Sequence, residues 1–382
     1  MKIGIVTYWK SSNNYGEQLQ NYALQEYLRR LGHEPFLIRY DYEKDTIYGS
    51  KPLYIRLLRA CNPKRLYRYF KSRKDNSDRA KDASNHPRGF ETFRDEHLSM
   101  SRVYESIDDL RNDPPKAQIY ITGSDQVWNT FGGKLSEMEH RLRAFMLDFG
   151  PDNVLRISYA ASWGRSSLPA DEEHVVSPLI SALDAVSVRE ESGIDLCRSL
   201  GRHDAIVAPD PVILFNADDY RKLYGVKSSV KPSGKYLFLY YLNHDSEFDK
   251  KAVFDWAKNE GLEIVYVTDD WHDDYKRSFP TVWEWIDLID NAEYVVTNSF
   301  HCSLLSLIFE KRFGVIRRFG EHAGMNTRID HLFELCGIEP RYIDSSDFEI
   351  LKREADNLSR LDIGSLNTPE KVIETAVRHS NS

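Results

Sequence analysis

The sequence lacks most of the short motifs that announce a cofactor or a metal. Its 382 residues include only four cysteines, Cys61, Cys197, Cys302 and Cys336. No two form a Cys-x-x-Cys pair, so neither a disulfide frame nor a zinc site is expected, and the thiols read as reduced ones in a cytoplasmic protein. There is no Gly-x-x-x-x-Gly-Lys-Ser/Thr loop, no Gly-x-Ser-x-Gly and no His-Glu-x-x-His. No Gly-x-Gly-x-x-Gly follows the first apolar run, which argues against a dinucleotide cofactor. No apolar stretch approaches the length of a bilayer span. Positive charge is not in excess either: 51 Lys and Arg against 59 Asp and Glu leave a net charge of -8, which argues against wholesale nucleic-acid binding.

What is present is alternation of short apolar runs with helical periodicity. Ile3–Tyr8 reads as a buried strand rather than a signal peptide, because no long apolar segment or small-residue cleavage site accompanies it. Asn14 is placed to cap a helix in which Leu19, Tyr22, Ala23, Tyr27, Leu28 and Leu31 recur at helical spacing, and Gly32 suits its end. Phe36–Tyr40, Ala117–Thr122, Arg156–Ala161, Ala185–Val188 and Ile206–Ala208 read as further strands. A second series follows: strands at 235–242, 263–268, 294–297 and 313–316, with helices at 246–260, 282–291 and 300–310. The expected fold is α/β, with two Rossmann-like doubly wound domains facing a cleft. Residues 1–215 form the first domain, 216–234 a polar linker and 235–382 the second, whose last helix could pack back on the first domain.

An insert at about 44–115 interrupts the first domain. Within it Lys51–Lys74 carries nine basic residues and no acidic one, interleaved with apolar side chains. That pattern suits peripheral contact with an anionic membrane or acceptor, and equally a pair of packed helices with a solvated face.

Five places could carry chemistry. Asn298-Ser299-Phe300-His301 follows a strand and opens a helix, where free backbone N–H groups can hold a phosphate or carboxylate and His301 can move protons near neutrality. Arg189 ends another strand and could clamp an anion bidentately. Arg317-Arg318, with Asn326 and Arg328 close behind, places four cationic or amide groups within a dozen residues. Gly123-Ser124-Asp125 and Asn13-Asn14-Tyr15-Gly16 are strand-end loops suited to sugar hydroxyls. Each also has a plain structural reading as a helix cap, turn or surface ion pair. The acidic run Asp269–Asp274 lacks the spacing of a metal motif, and no metal or cofactor is expected.

In their order these segments resemble the polysaccharide pyruvyltransferase family. The resemblance is carried by Lys2–Tyr8 with Asn14-Tyr15-Gly16, Leu19–Gln25, Gly123–Asn129, Ile157–Ser162, Ser187–Ser192, Asp210-Pro211, Val295–His301 and Asn326-Thr327-Arg328. It implies a glycosyltransferase-B-like pair of domains that transfers a carboxyethylidene group from phosphoenolpyruvate to two hydroxyls of a sugar, in a cell-surface polysaccharide or its lipid-diphosphate-linked precursor. It further implies His301 and Arg189 as catalytic. Asn298, Ser299, Arg317, Arg318, Asn326 and Arg328 would lie on the donor side, and Asn14, Tyr15, Gly16, Gly123, Ser124 and Asp125 on the acceptor side. Cys302 departs from the glycine or alanine common there. Two alternatives stand beside it. One is a glycosyltransferase using a nucleotide sugar, with Glu284 and Asp287 available to a ribose. The other is a non-catalytic carbohydrate-binding protein.

Overall fold

The computed structural model describes residues 1–45, 78, 80–130, 133–225, 231–242, 248–270, 273–319, 326–343, 347–358 and 361–380. The basic Lys51–Lys74 face and Cys61 lie outside these residues.

Two parallel sheets carry the fold. The first contains β1 (Lys2–Val6), β2 (Glu34–Tyr40), β3 (Met100–Tyr104), β4 (Ile119–Thr122) and β5 (Leu155–Ser158) in the order β3-β2-β1-β4-β5. A short parallel pair, β6 (Ser187–Val188) and β7 (Ile206–Val207), continues it through single bridges to Ile157 and Ala161. The second contains β8 (Tyr236–Tyr241), β9 (Glu263–Thr268), β10 (Tyr294–Thr297) and β11 (Arg312–Val315) in the order β11-β10-β8-β9. In both sheets the chain order reverses beside the first strand, at β1/β4 and at β8/β10. The strand-end loops diverge there and open a crevice at the carboxyl edge.

The helices that matter for the site are α1 (Tyr15–Arg30), α2 (Phe90–His97), α3 (Ala217–Tyr224), α4 (Val282–Asp290), α5 (Phe300–Ile308), α6 (Asn326–Cys336) and α7 (Pro369–Ser380). Asn14 caps α1 by accepting the Glu17 N–H, and Ser299 caps α5 by accepting the Cys302 N–H.

Two expectations change. The segment expected as a linker contains α3, closed by a capping box between Asn216 and Asp219. Its Arg221 pairs with Asp290 of α4 at 2.8 Å. The far part of the expected insert is regular too, because α2 and β3 fall within it and β3 is the edge of the first sheet.

One apolar core joins the helices α1 and α2 to the second sheet. Tyr15, Leu19 and Ala23 of α1 and Phe90 and Phe93 of α2 pack into the same cluster as Phe238, Tyr240, Trp285, Leu304 and Phe313. Tyr15 stacks on Trp285 at 5.1 Å with the rings 3° from parallel, and its hydroxyl donates to the Pro280 carbonyl at 2.6 Å. The C-terminal helix α7 buries Val372, Ile373 and Ala376 against Ile3, Ile5, Leu24 and Leu28. The crevice between the sheets therefore has a packed floor. Trp285→Ala should cost about 3–5 kcal/mol, measured by urea unfolding. A loss below about 1 kcal/mol would mean that this stack contributes little to the joint core.

Candidate active site

The carboxyl-edge loops of both sheets enclose a cavity of about 730 Å³. From the first sheet come Tyr8, the 10–14 loop, Glu17, Tyr42 and Asp125, and from the second Leu242, Asp269, Ser299, Phe300, His301, Arg318 and Arg328. The caps of α1 and α5, Asn14 and Ser299, both line it, so the positive ends of two helix dipoles meet at one cavity.

His301 stands at this meeting point. Its side chain lies over Gly16, so closely that a Cβ at residue 16 would fall 2.1 Å from Nδ1. On its other edge, Nε2 is 3.4 Å from Asp210 Oδ2. Asp210 is the buried hub of the site. Its Oδ2 also accepts from Arg189 Nη1 at 3.0 Å and from the Ser124 hydroxyl at 2.8 Å, and its Oδ1 accepts the Val212 N–H at 3.1 Å. Burial alone would raise the Asp210 carboxyl, but His301, Arg189 and Ser124 outweigh it and hold the group well below the usual carboxylate range.

Three guanidiniums gather beside this hub. Arg318 donates from Nε to the Asn298 carbonyl at 3.1 Å, and Asn326 holds the Arg318 backbone with bonds of 3.0 and 2.8 Å. Arg189 lies 5.0 Å over the Phe300 ring and Arg328 6.0 Å over the same ring. Burial first, then the proximity of Arg189 and Arg318, pulls Arg328 well below the ordinary guanidinium value. Concentrated positive charge of this kind is relieved by an anion.

The residues singled out from sequence thus divide. Asn14, Asp125, Ser299, His301, Arg318 and Arg328 line the cavity. Arg189 does not reach it, because Asp210 takes its guanidinium and leaves the side chain 3% exposed. Ser124 is fully buried in the same hub, and Gly123 packs on Ile5 and Thr7. Asn298 spends its amide on the Leu242 N–H and carbonyl, at 2.9 and 2.5 Å. Arg317 stacks on Tyr342 at 3.5 Å, and Asn326 serves the Arg318 backbone. Tyr15 is buried in the core, and Gly16 supports the His301 ring. Asp125 adopts φ 97°, a conformation that non-glycine residues rarely take and that recurs at functional sites.

The profile of the polysaccharide pyruvyl transferase family matches residues 14–318, from the Asn14 cap to Arg318 in the cavity wall. The chain belongs to the polysaccharide pyruvyl transferase family. A search of curated protein sequences returned no significant match. Among solved structures, this family member is similar to UDP-GlcNAc 2-epimerase from Methanocaldococcus jannaschii, at 13% identity over 100% of this chain and 99% of that one, with a TM-score of 0.48. The epimerase from Neisseria meningitidis bound to UDP-GlcNAc aligns at 10% identity over 99% and 100% of the two chains, TM-score 0.48.

Sequence reasoning missed two functional candidates in this pyruvyl transferase. Asp210 stood out only within the Asp210-Pro211 segment that carries the family resemblance, with no role assigned, and Glu17 was not singled out. Cys302 is fully buried, and burial pushes its thiol far up, so it is a filler rather than a nucleophile.

Proposed function

We propose that this protein transfers a pyruvate ketal group from phosphoenolpyruvate to two hydroxyls of a sugar in a cell-surface polysaccharide or its lipid-linked precursor, with release of phosphate. The observation that carries the reading is the convergence of two helix N-termini, His301, Arg318 and Arg328 on one cavity. Phosphoenolpyruvate has two anionic groups, a carboxylate and a phosphate, and this wall offers complementary charge to both. The acceptor would enter from the side of Asn14, Tyr42 and Asp125, where polar groups and an aromatic ring suit a sugar. A proton reaches the methylene carbon, a hydroxyl attacks the adjacent carbon, phosphate leaves, and the second hydroxyl closes the ketal. His301 holds the phosphate and is placed to move a proton.

The nucleotide-sugar alternative loses its ribose ligands. Glu284 closes the cap of α4 by accepting the Thr281 N–H at 2.8 Å, Asp287 accepts from Asn291 at 2.8 Å, and neither borders the cavity. No helix among the described residues is long and apolar enough to cross a membrane. A lipid-linked acceptor would therefore be met at a membrane surface, with the cytoplasmic face as the proposed location.

His301→Ala should lower phosphoenolpyruvate-dependent phosphate release about 100- to 10,000-fold without changing the far-ultraviolet circular dichroism. Near-normal turnover in that variant would sink the role assigned to His301.

A further inference from the structure

We propose that Glu17 is the second proton-transfer group of this site, giving a proton to the methylene carbon of phosphoenolpyruvate and recovering one from the attacking sugar hydroxyl; this rests on the donor reading above. Glu17 follows Gly16, the residue on which the His301 ring sits, and borders the same cavity. It is only 7% exposed. Its hydrogen bonds from the Ser11 N–H at 2.8 Å and the Gln18 amide at 3.2 Å both fall on Oε1. Those two bonds orient the carboxyl group and leave Oε2 as the oxygen that can carry a proton to a ligand.

An acid in the first turn of a helix usually works ionised and exposed, stabilising the dipole. Glu17 is in a different condition. Burial pushes its carboxyl up to about 8; the Ser11 N–H and Arg94 oppose the rise, while Asp125 and Glu43 add to it. Tyr8 and Tyr42 also face it, both with phenols raised by their own burial. That rise favours the neutral carboxylic acid near pH 7, a form able to donate, and lies close enough to neutrality for the proton to return. A glutamine would satisfy the same Oε1 bonds with no ionisable group to bury, so packing alone does not explain the acid.

The Glu17 proton forms the new C–H bond at the methylene carbon as the π pair moves to it. The first hydroxyl oxygen bonds to the adjacent carbon, and its proton passes to the Glu17 carboxylate, restoring the acid. The carbon–oxygen bond to phosphate then breaks, and the second hydroxyl closes the ketal. Its proton passes by way of His301 to the departing phosphate, so that hydrogen phosphate is released and His301 returns to its starting state.

The test measures phosphate release from phosphoenolpyruvate with a panel of methyl hexosides as acceptors, for wild type, Glu17→Gln and Glu17→Asp, from pH 6 to 9.5. Phosphoenolpyruvate binding is followed in parallel by thermal shift. In wild type the acid form is required, so kcat should fall as pH rises through about 8. Glu17→Gln should bind phosphoenolpyruvate within about threefold of wild type, lose turnover about 100- to 10,000-fold and lack that alkaline limb. Glu17→Asp should recover part of the loss and retain the limb. Because glutamine is neutral at every pH, Glu17→Gln should melt no lower than wild type at pH 7. Turnover within threefold of wild type in Glu17→Gln, or an unchanged alkaline limb, overturns the proton role alone. If Glu17→Gln does not fold, a wild-type kcat that stays flat through pH 8 overturns it. Wild type that neither binds nor turns over phosphoenolpyruvate overturns the donor reading and this proposal with it.

Discussion

Replacing Asp210 with Asn is expected to slow turnover about 100- to 10,000-fold and to cost about 3–5 kcal/mol of stability at neutral pH. The first effect follows from geometry. Asp210 contacts both His301 and Arg189, and through the latter it sets the charge behind the anion site. Asn keeps the volume and can still accept from Ser124 and Val212, but it offers no counter-charge to a guanidinium whose side chain is only 3% exposed. Asp210 is thus a positioning residue, and a merely structural role would leave kcat and KM of the folded fraction unchanged. The variant should instead lower kcat of the folded fraction, because His301 loses the carboxylate beside its Nε2 and Arg189 loses its partner.

The stability effect has a definite pH window. The folded carboxyl of Asp210 is held below its unfolded value, so its contribution is fully present above the ordinary carboxylate range, near pH 4. It is lost only as pH falls through the depressed folded value. The gap between wild type and Asp210→Asn in denaturant unfolding should stay constant from pH 8 to 5 and narrow in strong acid. A gap that closes between pH 8 and 6 would assign the effect to another group.

Gly16→Ala should lower turnover at least about 100-fold, although alanine is ordinarily the better helix residue by about 1 kcal/mol. The new Cβ would fall 2.1 Å from Nδ1, 2.5 Å from Cγ and 2.9 Å from Cβ of His301. No side-chain contact tolerates that approach, so the ring must leave or α1 must shift, at a cost of about 1–3 kcal/mol from overpacking. Overpacking therefore exceeds the propensity gain, and the net change should be destabilising. A double-mutant cycle isolates the cause: with His301→Ala in the background, the clash has no partner and Gly16→Ala should become neutral or stabilising. Equal destabilisation in both backgrounds would mean that the ring is not what keeps glycine at this position.

The sequence was most legible where elements are buried and strongly patterned. The strands Glu263–Thr268 and Tyr294–Thr297 have the bounds that their apolar runs suggest, and α4 and α5 begin where Thr281 and Ser299 cap them. β3 was missed because an edge strand reading Met-Ser-Arg-Val-Tyr is mostly half-exposed and lacks clean alternation. α3 was hidden because only Tyr220 of its eight residues is buried, so its composition is that of a loop.

The site was legible as a set of loops but not as a set of roles. Helix caps and strand-end cations can be read locally, and Ser299, His301, Arg318 and Arg328, singled out in that way, all line the cavity. The pairing of Asp210 with Ser124 spans 86 residues and with His301 crosses between the sheets, and no local pattern encodes either. Arg189 was legible only as a strand-end cation, since Asp210, the carboxylate that holds its guanidinium, lies 21 residues further along the chain. Glu17 became visible as a buried acid only once the 10–14 loop folded over it.

The proposed donor is a small molecule with two anionic groups. Thermal-shift titration of the wild-type protein with phosphoenolpyruvate and with a panel of nucleotide sugars tests it most directly. Phosphoenolpyruvate should raise the melting temperature in a saturable way, the effect should be reduced in Arg318→Ala and Arg328→Ala, and nucleotide sugars should produce little change. Stabilisation by a nucleotide sugar, with none by phosphoenolpyruvate, would contradict the claim.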